Sequence, residues 1–133
     1  MDRTQDQSYK PWKIRIFPRG RSDMQSLRDG YQGLEVDLIF HSVNQVIAVK
    51  FDSTEVYRVI DEGRRLRQLE HLPLPMSETI YVITNSDMVE ELVDESCGML
   101  ETTEVVHYFI VTDNDCIDVI ARANFEPKFE NKL

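Results

Sequence analysis

The sequence predicts an α+β fold, with an antiparallel or mixed β-sheet of about six to seven strands and two short helices. Short segments rich in β-branched and aromatic residues recur along the chain, and two pairs of them are joined by connections of hairpin length. Another stretch has apolar residues at helical spacing. Strands joined by hairpins, together with separate helices, are typical of α+β domains.

The length of 133 residues predicts one domain that can bury an apolar core without disulfides or a metal. We expect this single α+β domain to span residues 11–124. Residues 1–10 are predicted to be a flexible N-terminus and residues 125–133 a loose C-terminal tail, because both segments are polar and lack apolar periodicity.

The first half of the chain predicts three strands. Trp12–Phe17 alternates between apolar and polar residues, whereas the glycine-rich residues 18–33 are predicted to be mostly loop. Leu34–Phe40 and Gln45–Phe51 are the strongest strand pair, and the four residues 41–44 between them suit a hairpin. We therefore expect these two strands to pair in antiparallel fashion.

The segment Ser53–His71 allows two interpretations. It is either one helix, or a strand at Val56–Ile60 followed by a short helix at Glu62–Leu69 that Asp61 caps. The β-branched residues of Val56–Ile60 favour the second interpretation, a strand followed by a short helix. Pro73 then prevents the helix from continuing.

The second half predicts a buried strand at Thr79–Thr84, followed by a helix that Asn85 or Ser86 caps. Apolar residues recur at helical spacing in this helix, and acidic residues face away from them. Val105–Val111 and Cys116–Ala121 then form a second predicted hairpin around a polar four-residue turn.

The charge of the chain is unevenly distributed. Residues 68–121 carry 12 acidic residues and no Lys or Arg, so the rest of the chain has a net charge of +3 within a total of −9. A continuous acidic field argues against nucleic-acid binding and favours a basic protein partner or a solvated surface. No stretch reaches the roughly 20 apolar residues that span a bilayer. With a polar N-terminus and two cysteines expected to be free, we expect a cytoplasmic protein without membrane contact.

The sequence contains no complete catalytic or metal-binding motif, so we expect a non-catalytic protein with no metal and no cofactor. The three histidines are far apart, and His107 reads as a core or interface residue. Cys97 and Cys116 are predicted to pack rather than to react. No serine has an obvious His and Asp context, and the Asp113–Asp118 segment lacks the glycine and glutamate of an EF-hand loop.

The hairpin at 34–51 resembles the metal-binding hairpin of restriction-endonuclease-like nucleases, in which an Asp on one strand and Glu-x-Lys on the next hold Mg²⁺. Asp37 and Lys50 match this pattern. Ala48 stands where the second carboxylate is needed, and this weakens a site for a hard cation. A degenerate or noncanonical metal-dependent nuclease-like protein is therefore an alternative function.

A second resemblance covers more of the chain, from Ile47–Phe51 through Val56–Gly63 and Tyr81–Ser86 to the terminal hairpin His107–Ala121. This succession is similar to small bacterial proteins, some of which look like the immunity proteins of polymorphic toxins. The resemblance implies an immunity-type binding module, and the acidic tract adds the expectation that it neutralises a basic toxin through an acidic surface. The candidate partner-binding residues are Glu90, Glu91, Asp94 and Glu95 on the helix and Asp113 and Asp115 at the hairpin tip. A housekeeping homo-oligomer is a further alternative.

Overall fold

Nine strands in two antiparallel sheets make up most of the structure, a computed structural model that describes residues 7–12, 17–18, 20–61, 63, 69 and 78–132. One α-helix and two short 3-10 turns complete the elements of the described residues. The bounds are β1 (Ser8–Pro11), β2 (Ser22–Gly30), β3 (Gly33–Phe40), β4 (Gln45–Phe51), β5 (Thr54–Asp61), β6 (Ile80–Thr84), α1 (Asp87–Glu95), β7 (Val105–Val111), β8 (Asp115–Arg122) and β9 (Lys128–Asn131), with 3-10 turns at His41–Val43 and Thr102–Glu104. Sheet A has the strand order β1-β6-β7-β8-β5, and sheet B has the order β2-β3-β4-β9.

The two sheets pack face to face around one apolar core. Alternate residues of each strand point to the same side of a sheet, so β3 sends Leu34, Val36, Leu38 and Phe40 inward. Sheet A supplies the opposite side of the core, and the ring of Tyr108 on β7 lies 5.5 Å from that of Phe51 on β4. The buried members from sheet A are Ile80, Tyr108, Ile110, Ile117, Val119 and Ala121.

Helix α1 covers part of the other face of sheet A. Val89 packs with Leu100, with Val105 of β7 and with Ile120 of β8 in a second buried cluster. The apolar side of the helix therefore faces the sheet, and its acidic side faces solvent.

Several sequence predictions are confirmed. β3 and β4 pair in antiparallel fashion with Leu34 opposite Phe51, and β7 and β8 form the second hairpin. β5 confirms the strand interpretation of the segment after Ser53, and α1 begins after the predicted cap Ser86. The predicted strand Trp12–Phe17 and the predicted helix Glu62–Leu69 fall mostly outside the described residues.

Other predictions are wrong in number and place. There are nine strands in two sheets among the described residues, rather than six to seven in one sheet. Part of the predicted loop at 18–33 is β2, part of the predicted flexible N-terminus is β1, and part of the loose tail is β9. These three strands lie at sheet edges, where a strand is held by backbone hydrogen bonds to one neighbour and needs little apolar alternation.

Gly33 begins β3 in a conformation that only glycine adopts easily. Its φ is +108°, and a Cβ atom there would lie 2.4 Å from the carbonyl oxygen of Phe51.

Gly33→Ala should therefore lower the free energy of unfolding by about 2 to 4 kcal/mol, measured by urea denaturation. Gly30→Ala, where a Cβ meets open space, is the control and should stay within about 0.5 kcal/mol of the wild type. Equal losses for the two variants would contradict the steric explanation.

Tyr108 predicts a loss of stability in alkali. Its burial, followed by the charge of Glu126, raises its pKa to about 12 from the usual 10. The neutral phenol therefore stabilises the fold fully below pH 10, and this contribution decreases by up to about 1.4 kcal/mol per pH unit as the pH rises toward 12. Tyr108→Phe should flatten the decline in unfolding free energy between pH 10 and pH 12. The control is Tyr31→Phe, because the Tyr31 side chain is fully exposed; a decline unchanged by Tyr108→Phe would refute the assignment.

Candidate functional site

A chain of buried polar side chains connects the start of α1 to sheet A. The Oγ atom of Ser86 lies 2.6 Å from Nδ1 of His107, and Nε2 of His107 lies 2.7 Å from Oδ1 of Asp118. The Nε of Arg58 donates to Oδ2 of Asp118 over 2.9 Å. We call these four residues the Ser86 relay. Its carboxylate is fully buried, and a cation reaches it from the edge strand β5.

The donors and acceptors of the Ser86 relay favour one tautomer of His107 and one direction for each hydrogen bond. The backbone N–H of Val89 donates to Ser86 Oγ over 3.1 Å as a helix N-cap. A neutral His107 with its proton on Nε2 donates to Asp118 and accepts the Ser86 hydroxyl proton at Nδ1. This tautomer satisfies every group in the chain, as buried polar groups require.

Strand register and a tight turn bring these side chains together. On β7, His107 points away from the inter-sheet core and stands opposite Ile120 of β8. Asp118, two residues before Ile120, is its diagonal neighbour on the same face. Between β6 and α1, Asn85 has a φ of +55°, and this left-handed turn precedes Ser86.

The sequence prediction that no serine has a His and Asp context is therefore wrong. Ser86, His107 and Asp118 are 21 and 11 residues apart, and no local motif connects them. His107 is a core histidine, as predicted, with 2% of its surface exposed. One signal was present in the sequence: at alternate positions of the second hairpin, His107 and Asp118 are each flanked by apolar residues.

A hydroxyl bound to an imidazole that is itself bound to a carboxylate is the arrangement of a general-base site. An imidazole that accepts a hydroxyl proton can act as a general base, and a carboxylate on its other nitrogen stabilises the imidazolium that forms. A cavity of about 360 Å³ borders this group, and its lining includes Ser86, His107 and Glu90.

The four predicted binding residues of the helix lie together on α1. Glu91, Asp94 and Glu95 are exposed, and Glu90 is partly buried beside the cavity. The first three form no ion pair with any other residue that the structure describes. We call Glu90, Glu91, Asp94 and Glu95 the acidic helix face.

The two predicted binding residues of the hairpin lie elsewhere. α1 packs against the start of β7, whereas Asp113 and Asp115 lie at the turn after its end. The seven residues of β7 separate the start of the strand, where α1 packs, from the turn by about 20 Å. The turn is docked on sheet B, because the Asp113 N–H donates to the carbonyl of Ser22 over 2.8 Å and Arg21 lies 3.8 Å from the Asp113 carboxylate.

Asp37 and Lys50 lie on the outer face of sheet B in a network of alternating charges. Lys132 Nζ lies 3.2 Å from both Asp37 and Glu35, and Lys50 Nζ lies 3.5 Å from Glu35. A hydrogen bond from Lys50, and then its charge, lower the pKa of Glu130. Three carboxylates and three cations make up this network: Glu35, Asp37, Glu130, Arg28, Lys50 and Lys132.

This network differs from a metal-binding hairpin. Ala48 pairs with Asp37 on one side and with Glu130 on the other, so β9 places a carboxylate beside the missing position. Side-chain cations neutralise that carboxylate and those of β3, although Oδ1 of the buried Asp37 has no hydrogen-bond partner among the described residues. Within the described part of the chain, no three His, Cys, Asp or Glu side chains are grouped closely enough to ligate a metal.

The cysteines occupy contrasting environments. Cys116 is fully buried, as predicted, but the prediction that Cys97 packs is wrong because it is exposed. Cys97 has a φ of +52° in the turn after α1.

Comparisons with protein-family models, with curated protein sequences and with solved structures found no significant match. In the part of the chain that the structure describes, no helix has the length and apolar character needed to cross a membrane.

Ser86→Ala should destabilise the protein by about 2 to 4 kcal/mol, because it removes a helix cap and leaves His107 Nδ1 buried without a donor. Urea denaturation followed by circular dichroism measures this change. Thr103→Ala, at an exposed position in a 3-10 turn, should leave the midpoint nearly unchanged. Equal midpoints for Ser86→Ala and the wild type would show that the relay does not support the fold.

Proposed function

We propose that the protein is a binding module for a basic protein partner, which it contacts through the acidic helix face. The observation that carries this proposal is the absence of ion pairs, among the described residues, at the exposed carboxylates of Glu91, Asp94 and Glu95. Exposed carboxylates that are not neutralised create a local negative potential. Such a potential steers a positively charged partner and favours its correct orientation.

The contrast with sheet B supports this choice of surface. On the outer face of sheet B, each carboxylate of the charged network has an Arg or Lys within 4 Å, so its charge is largely compensated. The acidic tract from residue 68 to residue 121 carries no Lys or Arg of its own. We therefore expect the negative potential to be concentrated where α1 faces solvent.

The contacts that hold α1 on sheet A favour a binding surface that is already ordered before the partner binds. Ser86 caps α1, and Val89 fixes it to β7 and β8 through the second cluster. A rigid helix presents its charges without a large ordering cost on binding. Asp113 and Asp115 belong to the same interface only with a partner that spans about 20 Å, and this distance is compatible with an interface of standard size.

The partner class that we propose is a basic toxin, and the protein would act as its immunity protein. The resemblance of the strand succession to immunity-type proteins supports this assignment, as does the absence of ion pairs with described residues at the exposed carboxylates of the helix. Carboxylates arranged on a rigid surface can occupy the phosphate-binding region of a nuclease toxin. Binding of this kind would neutralise the toxin without chemistry by this chain.

The test is isothermal titration calorimetry with the purified product of a toxin-like gene adjacent to this one. We expect a complex with a dissociation constant in the micromolar range or tighter, which weakens from about 50 mM to about 300 mM NaCl because salt screens the charges. The triple variant Glu91→Gln, Asp94→Asn, Glu95→Gln should lose about tenfold or more in affinity.

The matched control removes three negative charges from the sheet B side of the molecule, in the variant Asp29→Asn, Asp52→Asn, Glu130→Gln. It should keep its affinity within about threefold of the wild type if the contact is local. An equal loss in both triple variants would attribute binding to net charge, and no heat at micromolar concentrations would refute the proposed partner.

A further inference from the structure

The cavity beside Ser86 combines an apolar wall with the hydroxyl and imidazole of the relay. It lies between β6, the first turn of α1 and the start of β7, and its apolar lining on the His107 side of sheet A includes Ile83, Val89 and Val105. A volume of about 360 Å³ falls within the usual range of small-molecule sites. A short acyl group with one polar end fits such a lining.

The Ser86 relay supplies the other parts of an acyl-transfer site. Ser86 Oγ, His107 and Asp118 are connected by contacts of 2.6 and 2.7 Å, within the reach required of a nucleophile, its base and the group that orients the base. Arg58 binds the second oxygen of Asp118 and places a positive charge beside that carboxylate.

We propose that Ser86 is a nucleophile that accepts an acyl group from small esters bound in this cavity. This activity goes beyond the binding function proposed above and does not depend on it. Ser86 Oγ attacks the ester carbonyl carbon while its proton passes to Nδ1 of His107. The carbon–oxygen bond to the leaving alcohol then breaks, and the alkoxide takes the proton from Nδ1.

Water completes the reaction by the reverse proton path. A water molecule gives its proton to His107 Nδ1 and attacks the acyl carbon. The ester bond to Ser86 breaks, Oγ regains the proton, and a carboxylic acid leaves. Asp118, bound to His107 Nε2, stabilises the imidazolium in both steps.

The backbone amide after the nucleophile is already bound to a carbonyl oxygen. The N–H of Asp87 donates to Oε1 of Gln7 over 2.8 Å. In acyl transfer, an amide at this place in the chain is a typical donor to the oxyanion. The carboxamide of Gln7 therefore occupies the donor that an ester carbonyl would use, and Gln7 restrains the reaction by competing for it.

Burial limits the substrates. Ser86 is 4% exposed and the His107 side chain 1%, so an ester reaches them only through the cavity. We expect p-nitrophenyl acetate and butyrate to react and p-nitrophenyl esters of long fatty acids not to react.

The experiment treats the full chain with a fluorophosphonate probe and maps the adduct by peptide mass spectrometry, alongside release of p-nitrophenol from the acetate ester. We expect one adduct, on Ser86, and a loss of about a hundredfold or more in both readouts for Ser86→Ala and His107→Gln. Ser96→Ala is the matched control, because Ser96 binds backbone groups at the other end of α1; it should react like the wild type.

Gln7→Ala should raise the rate of ester hydrolysis by about tenfold, because it frees the Asp87 N–H for the ester carbonyl.

Two results would overturn the proposal: labelling no greater than that of heat-denatured protein, or an adduct on a residue other than Ser86. If Ser86→Ala does not fold, the site of the wild-type adduct and the response of Gln7→Ala decide the question. The triple variant of the acidic helix face should keep full labelling, so that failure of the binding proposal and failure of this one are distinguishable.

Discussion

The hydrogen-bond chain from the cap of α1 to Arg58 holds four separate parts of the fold in one arrangement. Ser86 belongs to the helix start, His107 to β7, Asp118 to β8 and Arg58 to β5. A buried carboxylate without partners would cost several kcal/mol, so these elements must meet with correct geometry or not be buried at all. The relay and the packing of Val89 therefore fix together where the helix sits on sheet A, and with it the position of the acidic helix face and the adjoining cavity.

The distribution of charge follows from this arrangement. Sheet B keeps its outer face solvated with carboxylates and cations that neutralise one another, as in the contacts of Lys132 with Glu35 and Asp37. Sheet A instead covers part of its outer face with a helix on which Glu91, Asp94 and Glu95 form no ion pair with any residue that the structure describes. One face thus carries charges that compensate one another, and the other carries the acidic helix face that we propose as the partner-binding surface.

The predictability of each element depended on how local its physical cause is. The β3–β4 hairpin and α1 were predictable because apolar periodicity and a capping serine lie within a few residues of each other. β2, β1 and β9 were missed because pairing at a sheet edge needs a neighbour supplied by tertiary structure. The Ser86 relay was missed for the same reason: His107 and Asp118 meet only through the register of two strands.

The sequence by itself determined the antiparallel hairpins, the capped amphipathic helix and the acidic tract, because short-range stereochemistry and composition control all three. Only the tertiary structure decided that the strands divide into two packed sheets and that the acidic residues divide into a helix face and a distant turn. It also decided that Ser86, His107 and Asp118 form a chain of hydrogen bonds beneath the helix. Those outcomes depend on which faces of distant segments are buried against one another, and this information is distributed over the whole chain.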